Sequence, residues 1–546
     1  MESIKNKEKA DITNHCHITT VRIKKIFVAV LVIMAALAAR LWYIQIYCHD
    51  TLSRAAVSQY EVKITGLDTR GIILDRNLKP LTGETCQYYY IIRNDMRDEQ
   101  MIRLMKDIEG KEVGTTSSSY CVYRTQSFNS NANEILKEKY KAYVFENSAR
   151  YADDQIACHL VGYLNEDKQE GVSGLELICE EQLESYGDSV NLWADAAGRI
   201  IKGLTPKITG HTKSGTLMEE HSLVTTLDRR IQFLCQQELE KVCDGGAVVV
   251  MDGESGEILA WASSPTFNPN RIEEYLETEG DCLMDKVCQS AYPPGSVFKI
   301  ITAAAALEKG VCNQEQLFTC EGKVTVGGIT IDCATGGEEG HGSIDMTQAM
   351  ACSCNCYFAQ LGNLVGCDEI VNMAATMGLG RKTMEDFVYE TEGNLPERYR
   401  INKSDTTNIS IGQGELLATP LQIAKVTAII SSGGKDVTPK VIETSHRPYQ
   451  AQVISPKTAQ AIDSMMSKVM LYGTGKGNWQ IPVRGKTGTA EAVYNEENVY
   501  TCWFTGYFSQ NEKTYVTTVM IENGMSGGES ALPVFKAVTD FLSNTP

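Results

Sequence analysis

The strongest pattern of apolar positions lies near the start of the chain. A run from Ile26 to Ala39 continues through Arg40-Leu-Trp-Tyr-Ile-Gln-Ile46. Residues 26–46 make 21 positions, roughly 31 Å of helix at about 1.5 Å per residue, enough to cross a bilayer. Lys5, Lys7, Lys9, Arg22, Lys24 and Lys25 precede the run, and few basic residues follow it closely. That asymmetry predicts a cytoplasmic N-terminus and an extracytoplasmic remainder. Trp42, Tyr43 and Tyr47 suit the membrane interface, and Arg40 sits near the far end, where it can snorkel. Ala36-Leu37-Ala38 has the look of a signal-peptide cleavage site, but the apolar character continues past that cut, which a signal peptide does not need. The expectation is a cytoplasmic tail (1–25), a membrane anchor (26–46) and a soluble remainder.

Shorter patterns follow. Ile72-Ile73-Leu74 and Tyr88 to Ile92 read as strands, and the Ser- and Asn-rich stretch Ser117 to Asn133 reads as a loop. From Ser222 the pattern tightens. Leu223 to Leu227 reads as a strand, and Asp228 can cap a helix over Arg229 to Val242. Gly246 to Asp252, a turn at Gly253 to Gly256, and Glu257 to Ala262 read as a β-hairpin. Tyr500 to Phe508 and Thr514 to Ile521 read as strands, with a closing helix over Leu532 to Leu542. Strands at both ends with helices between predict an α+β domain over 222–546, its antiparallel sheet covered by helices. Residues 47–221 alternate short strand-like runs with polar loops, which predicts a separate, mainly-β or mixed region.

Composition narrows the function. Lys plus Arg is 51 and Asp plus Glu is 69, so 51 − 69 = −18. This argues against nucleic acid as the partner, since phosphate binding needs clustered basic residues. Eight His leave little material for a His-built metal site. There are 18 Cys, and only Cys16 precedes the anchor. The odd remainder cannot all pair within one chain, so most read as buried, small apolar residues in a reducing habitat.

Three short motifs carry candidate chemistry. Tyr292-Pro-Pro-Gly-Ser296-Val-Phe-Lys299 precedes a run of strong helix formers, which places Ser296 in a first helical turn and Lys299 on the same face. A serine hydroxyl is a poor nucleophile unless a neighbour takes its proton, and lysine can do so only when neutral. Burial and a second cation would both favour the neutral form. In Cys352-Ser353-Cys354-Asn355-Cys356, Ser353 and Asn355 offer a hydroxyl to relay a proton and an amide to hold a peptide. The alternating cysteines invite a metal reading, which is disfavoured because no His or Cys pair at zinc-like spacing accompanies them. Lys486-Thr487-Gly488-Thr489 lies in a strand whose glycine admits a close backbone, with a cation and hydroxyls fit for a carboxylate. Each motif is weak alone. Ser432-Gly-Gly-Lys435 and Lys213-Ser-Gly-Thr216 match too, and both read as loops.

The three motifs in this order resemble the set shared by serine penicillin-binding proteins and β-lactamases. The resemblance extends to Arg70-Gly-Ile-Ile-Leu-Asp75-Arg76-Asn77, Gly171-Val-Ser-Gly-Leu175-Glu176, Thr226-Leu-Asp228, Ile411-Gly-Gln-Gly414, Thr419-Pro-Leu-Gln422 and Trp503-Phe-Thr-Gly506. Over this breadth the chain resembles a class B penicillin-binding protein, a monofunctional peptidoglycan D,D-transpeptidase. The resemblance implies that Ser296 attacks the penultimate D-Ala of a D-Ala-D-Ala stem peptide and that Lys299 accepts its proton. Ser353 and Lys486 would pass the proton to the departing D-Ala, and Asn355 would hold the peptide. Thr487, Gly488 and Thr489 would bind substrate, the threonines at its terminal carboxylate. The backbone N–H groups of Ser296 and Thr489 would form the oxyanion hole. β-Lactams would acylate Ser296. No metal or organic cofactor is implied, and a membrane glycosyltransferase of the shape, elongation, division and sporulation type is the implied partner.

Leu78 departs from the family, standing where glycine is usual. Arg70 and Asp75 are expected to pair with each other as a structural brace, Ile411 to Gly414 to form a tight turn near the site, and Gly340-His341-Gly342 to form a turn. The alternatives are a D,D-carboxypeptidase, a membrane-anchored β-lactam receptor or class D-like β-lactamase, and a non-enzymatic wall-synthesis scaffold.

Overall fold

The computed structural model describes residues 2–49, 52, 61–65, 70–113, 120–165, 170–183, 189–193, 207–209, 222–242, 245–276, 281–326, 328–333, 337–384, 386–397, 403–443, 450–494 and 497–544. The chain divides into two compact units. One comprises Met1–Leu67, Tyr89–Phe145 and Gly187–Gly210; the other comprises Asp68–Tyr88, Glu146–Tyr186 and His211–Pro546.

The first unit opens with helix α1, Glu2–Trp42, which continues through Tyr43–Tyr47 as a π-helical turn. Within it, Val21–Tyr47 is long and apolar enough to cross a membrane. The Arg40 guanidinium lies 5.5 Å above the Tyr43 ring, which shields the one charge of the run with an aromatic face. A small core gathers Tyr89, Ile91, Tyr120 and Val122. Here the expected loop is corrected. Tyr120–Thr125 is a strand, and Ser130–Glu138 is a helix whose Asn129 side chain accepts the Ala132 N–H at 3.1 Å. The burial of Tyr120-Cys-Val-Tyr decides the strand, and the asparagine read as a loop former is a helix cap.

The second unit is built on a five-stranded antiparallel sheet. Its strands are β1 (Gly246–Asp252), β2 (Ile258–Ser264), β3 (Val483–Tyr494), β4 (Glu497–Gln510) and β5 (Lys513–Glu522), in the order β2-β1-β5-β4-β3. Strand β3 is therefore an edge, with Lys486 opposite Thr505 and Thr489 opposite Cys502 on β4. The β1–β2 hairpin closes through Asp252, whose side chain accepts the N–H groups of Glu254 and Ser255, both at 2.9 Å.

Helices cover both faces of this sheet. They include α2 (Arg229–Val242), α3 (Lys299–Lys309), α4 (Met346–Ala351), α5 (Asn355–Val365), α6 (Pro420–Ser431), α7 (Pro456–Leu471) and α8 (Leu532–Asn544). Neighbouring residues of a strand face opposite ways. Phe504 packs tilted against Phe535 of α8, with ring centroids 4.4 Å apart, while Thr505 bonds Thr427 of α6 at 2.6 Å. Thus α8 lies on one face and α6 on the other. Helix α6 starts on a capping box in which Thr419 and Gln422 satisfy each other's backbone N–H groups, with Pro420 at its first position. The Thr419-Pro-Leu-Gln422 segment is thus the start signal of a buried helix.

The segment Asp68–Tyr88 belongs to this second unit, held by a charge cluster. The Arg70 Nε donates to Glu176 at 2.6 Å, and its two terminal nitrogens clasp Glu180 at 2.9 and 2.6 Å. Arg150 Nε and the Tyr151 hydroxyl donate to the other Glu176 oxygen at 2.6 and 3.0 Å. The expected Arg70–Asp75 pair does not form. Asp75 instead accepts the backbone N–H groups of Asn77, Lys79 and Arg229 at 2.8, 2.8 and 3.1 Å. An anionic turn-former two and four residues from open N–H groups satisfies them locally, which leaves Arg70 to the buried Glu176.

Two predictions follow from this clamp and its turn. Glu176 is fully buried, so Glu176→Ala takes from Arg150 its carboxylate partner and from Arg70 one of two, and is expected to cost about 3–5 kcal/mol, read by chemical unfolding of the detergent-solubilised chain. Leu78 sits at φ +59° and is exposed. Left-handed strain of about 1–2 kcal/mol there exceeds the roughly 0.5–1 kcal/mol that glycine loses in chain entropy. Leu78→Gly is therefore expected to raise stability by up to about 1 kcal/mol, and a drop in the same assay would contradict it.

Candidate active site

The site assembles from two turns and a strand. In the first, Gly295–Phe298 forms a short 3-10 turn that runs into α3, with Ser296 half-buried and Lys299 fully buried. Gly295 has φ +54°, and a Cβ there would lie 2.7 Å from the Thr489 carbonyl oxygen. Glycine thus lets strand β3 approach the turn that carries Ser296. Behind it, the Gly295 N–H donates to the Gly412 carbonyl at 2.9 Å. Gly412 has φ +81°, and a Cβ there would stand 2.0 Å from the Gly295 oxygen. The expected tight turn at Ile411 to Gly414 therefore backs the turn that carries Ser296.

The second turn joins α4 to α5. Ser353 has φ +57°, a left-handed conformation that a serine adopts only when its surroundings force it. The chain emerges at Cys354, whose sulfur accepts the Tyr357 N–H at 3.4 Å and caps α5. Asn355 is the first residue of that helix, so Ser353 and Asn355 flank the cap and reach the same space.

The third element is β3. Its edge position leaves one side of Lys486 to Thr489 open to other parts of the unit. Lys486 is fully buried and donates to the Ser353 hydroxyl at 2.8 Å and to the Thr487 carbonyl at 2.8 Å. Lys299 donates to the Ser353 carbonyl at 2.8 Å, to the Ser353 hydroxyl at 3.3 Å and to Asn355 Oδ1 at 2.7 Å. Two amines thus converge on one hydroxyl. The Asn355 amide nitrogen donates to the Asp332 carbonyl at 3.2 Å. Lys299 also lies 5.6 Å from the centre of the Phe358 ring.

Burial sets the electrostatics. It pushes Lys299 down to about 8, against the opposing pull of the nearby cysteines. It pushes Lys486 well below the usual lysine range, and Lys299 beside it pushes the same way. Ser353, Asn355, Lys299 and Lys486 therefore form one hydrogen-bonded cluster. Thr487 and Thr489 hold different partners: Thr487 bonds the Thr474 hydroxyl at 2.6 Å, and Thr489 accepts the Gly527 N–H at 3.1 Å. Ser296 sits one turn from Lys299, with its hydroxyl outside this cluster.

Of the decoys, Ser432 caps the end of α6 by donating to the Ile429 and Lys435 carbonyls at 3.1 and 2.9 Å. Lys213 to Thr216 lies outside the described residues.

This constellation can be set beside known proteins. The penicillin binding protein transpeptidase domain matches residues 246–540, more than half of the chain. The chain belongs to that family. It is a class B penicillin-binding protein. Among curated relatives, stage V sporulation protein D of Bacillus subtilis is 28% identical, over 94% of this chain and 84% of that protein. Peptidoglycan D,D-transpeptidase MrdA of Acinetobacter baumannii is 27% identical, over 94% and 86%. A solved structure, described as structural coordination of polymerization and crosslinking by a peptidoglycan synthase complex, matches at TM-score 0.70 and 23% identity, over 95% of this chain and 97% of that one. The mixed fold of this penicillin-binding protein, with its antiparallel sheet and an N-terminal apolar helix, accords with that family.

Several participants escaped the motif reading. Thr474 lies in Gly473-Thr-Gly475, a turn signal just after α7 that pattern alone does not tie to β3. The Asp332 carbonyl is invisible to sequence, because any residue supplies one. Cys320, Cys333 and His341 gather beside Cys354, although no regular spacing marks them. Gly412→Ala is expected to displace the Ser296 turn and slow acylation by a fluorescent penicillin roughly 10- to 100-fold, as about 1 Å of misplacement does in a catalytic site. A native circular-dichroism spectrum with an unchanged acylation rate would contradict it.

Proposed function

We propose that this class B penicillin-binding protein cross-links peptidoglycan through an acyl-enzyme on Ser296. The observation that carries the reading is the pair of buried lysines meeting at the Ser353 hydroxyl, 2.8 Å from Lys486 and 3.3 Å from Lys299. Burial makes both amines give up a proton more readily than a free lysine, Lys299 at about 8, so its neutral form is within reach and can act as a base. Lys299, one turn from Ser296, takes the hydroxyl proton as Ser296 attacks the penultimate D-Ala carbonyl of a stem peptide. The developing oxyanion is held by the backbone N–H groups of Ser296 and Thr489. Each such donor contributes about 3–4 kcal/mol in comparable sites.

The proton then travels through the Ser353 hydroxyl and Lys486 to the amine of the departing D-Ala. Thr487 and Thr489, with Gly488 between them, bind the terminal carboxylate, and Asn355 holds the peptide backbone. An amine from a second stem peptide attacks the acyl-enzyme and forms the cross-link, with the same lysine pair accepting its proton. β-Lactams acylate Ser296 and stop there. Catalysis falls to residues 222–546, and residues 47–221 form the pedestal.

The basic residues before the anchor support a cytoplasmic N-terminus and an extracytoplasmic catalytic unit. The likeness to a synthase complex that couples polymerization to crosslinking supports a membrane glycosyltransferase as partner.

The test is fluorescent-penicillin labelling of the full-length chain in membranes. Ser296→Ala is expected to abolish labelling, and Lys299→Ala to slow it about 10²- to 10⁴-fold. Labelling of Ser296→Ala at the wild-type rate would refute the assignment. Incubation with donor and acceptor strands is expected to give cross-linked dimers; release of D-Ala without dimers would assign a D,D-carboxypeptidase instead.

A further inference from the structure

Beside the Ser353 turn lies a cluster that this chemistry does not use. The sulfurs of Cys320, Cys333 and Cys354 and a ring nitrogen of His341 all lie within 4.8 Å of one another. The His341 Nδ1 is 3.6 Å from Cys320 Sγ and 3.5 Å from Cys333 Sγ, and the sulfurs of Cys333 and Cys354 are 3.7 Å apart. A tetrahedral zinc ion with bonds of about 2.3 Å to sulfur and about 2.0–2.1 Å to nitrogen has edges near 3.8 Å for S–S and near 3.6 Å for S–N. The Cys320–His341, Cys333–His341 and Cys333–Cys354 separations match those edges, and the other three pairs lie within 4.8 Å. A disulfide between Cys333 and Cys354 would need about 2.05 Å, and it would leave Cys320 and His341 turned inward without a task.

We propose that Cys320, Cys333, His341 and Cys354 form a closed structural zinc site of the Cys3His type, which pins the turn carrying Ser353 and Asn355. Zinc takes the place of three thiol protons, which leave to solvent, and the imidazole binds through Nδ1. The ligands come from fixed positions. Phe318–Cys320 pairs with Gly342–Ile344, which sets Cys320 opposite Gly342 and brings His341 alongside. Lys323–Val326 pairs with Ile329–Asp332, and the Cys333 N–H then donates to the Gly322 carbonyl at 2.8 Å. Cys320 and Cys354 are fully buried and Cys333 is nearly so.

Cys354 couples this centre to the active site. Its sulfur sits at the N-terminus of α5 and accepts the Tyr357 backbone N–H. Its two chain neighbours are Ser353 and Asn355. Asn355 in turn donates to the carbonyl of Asp332, the residue before Cys333. The metal thus fastens both sides of the Asn355 amide's environment. These four residues act through Ser353 and Asn355 and are positioning residues. The zinc site stands on its own geometry, whereas its effect on acylation rests on the reading of Ser296 above.

The full-length chain, purified in detergent under reducing conditions, is expected to hold about one zinc per molecule by elemental analysis. Cobalt(II) exchange is expected to give thiolate charge-transfer bands with tetrahedral d–d bands. Cys320→Ser combined with Cys333→Ser is expected to lose the zinc, and the exposed Cys86→Ser to keep it. A reduced wild-type chain that neither carries zinc nor takes it up would overturn the site, as would a native Cys333–Cys354 disulfide found by mass spectrometry. Stripping the zinc is expected to slow fluorescent-penicillin acylation roughly 10- to 100-fold, reversibly; an unchanged rate would overturn the positioning role. Failure of zinc-loaded wild type to acylate at Ser296 would instead sink the catalytic reading and leave the metal count standing.

Discussion

The arrangement of this protein turns on two fully buried lysines that share one hydroxyl. Lys299 and Lys486 are both fully buried, and both donate toward Ser353. Like charges so placed are costly, because low-dielectric surroundings neither solvate nor screen them. The fold tolerates the cost by giving each amine a carbonyl acceptor, Ser353 O for Lys299 and Thr487 O for Lys486. The result is a pair of amines that hold their protons less tightly than ordinary lysines do.

Holding that centre requires rigid supports from distant stretches of chain. The Ser296 turn is backed by Gly412, the Ser353 turn lies between two helices, and Lys486 rides an edge strand bonded along its length to β4. Trp503 on β4 donates to the Pro293 carbonyl at 3.0 Å, which ties the sheet to the same turn. An edge strand is suited to this work. Its second row of backbone groups is not used within the sheet and can meet a substrate in extended form.

Much of this was legible in the sequence where local periodicity and burial agree. The helix Arg229–Val242 and the strand Gly246–Asp252 have the bounds read from pattern. Longer elements were also recognised, though β4 and β5 extend beyond the apolar cores that marked them. Where tertiary contacts decide, pattern failed. Tyr120–Thr125 hides between polar residues, Leu223–Val224 is shorter than its apolar run, and Arg70 chose Glu176 over the nearer Asp75. Within the site, the sequence indicated which residue types gather but not their bonds. It could not show that Ser353 takes a left-handed backbone or that Thr487 bonds Thr474. The thiol cluster was illegible for the same reason: its residues come from two strand pairs and a turn between helices and are united only by folding.

The order of the sheet has a consequence for how the chain comes to be folded. Strand β1 lies between β2, its immediate successor, and β5, which is made only after helices α2 to α7 and strands β3 and β4. Until β5 arrives, a hydrophobic strand such as Ala247-Val-Val-Val-Met251 has one bare flank, and pairings of such long range form slowly. The nascent polypeptide must therefore wait, with adhesive backbone uncovered, for its own C-terminal hairpin. Loss of the final strands would deprive the whole catalytic half of a seam through its middle, not merely trim an end. A chaperone or holdase acting during biogenesis would find its natural target at that unzipped central ribbon.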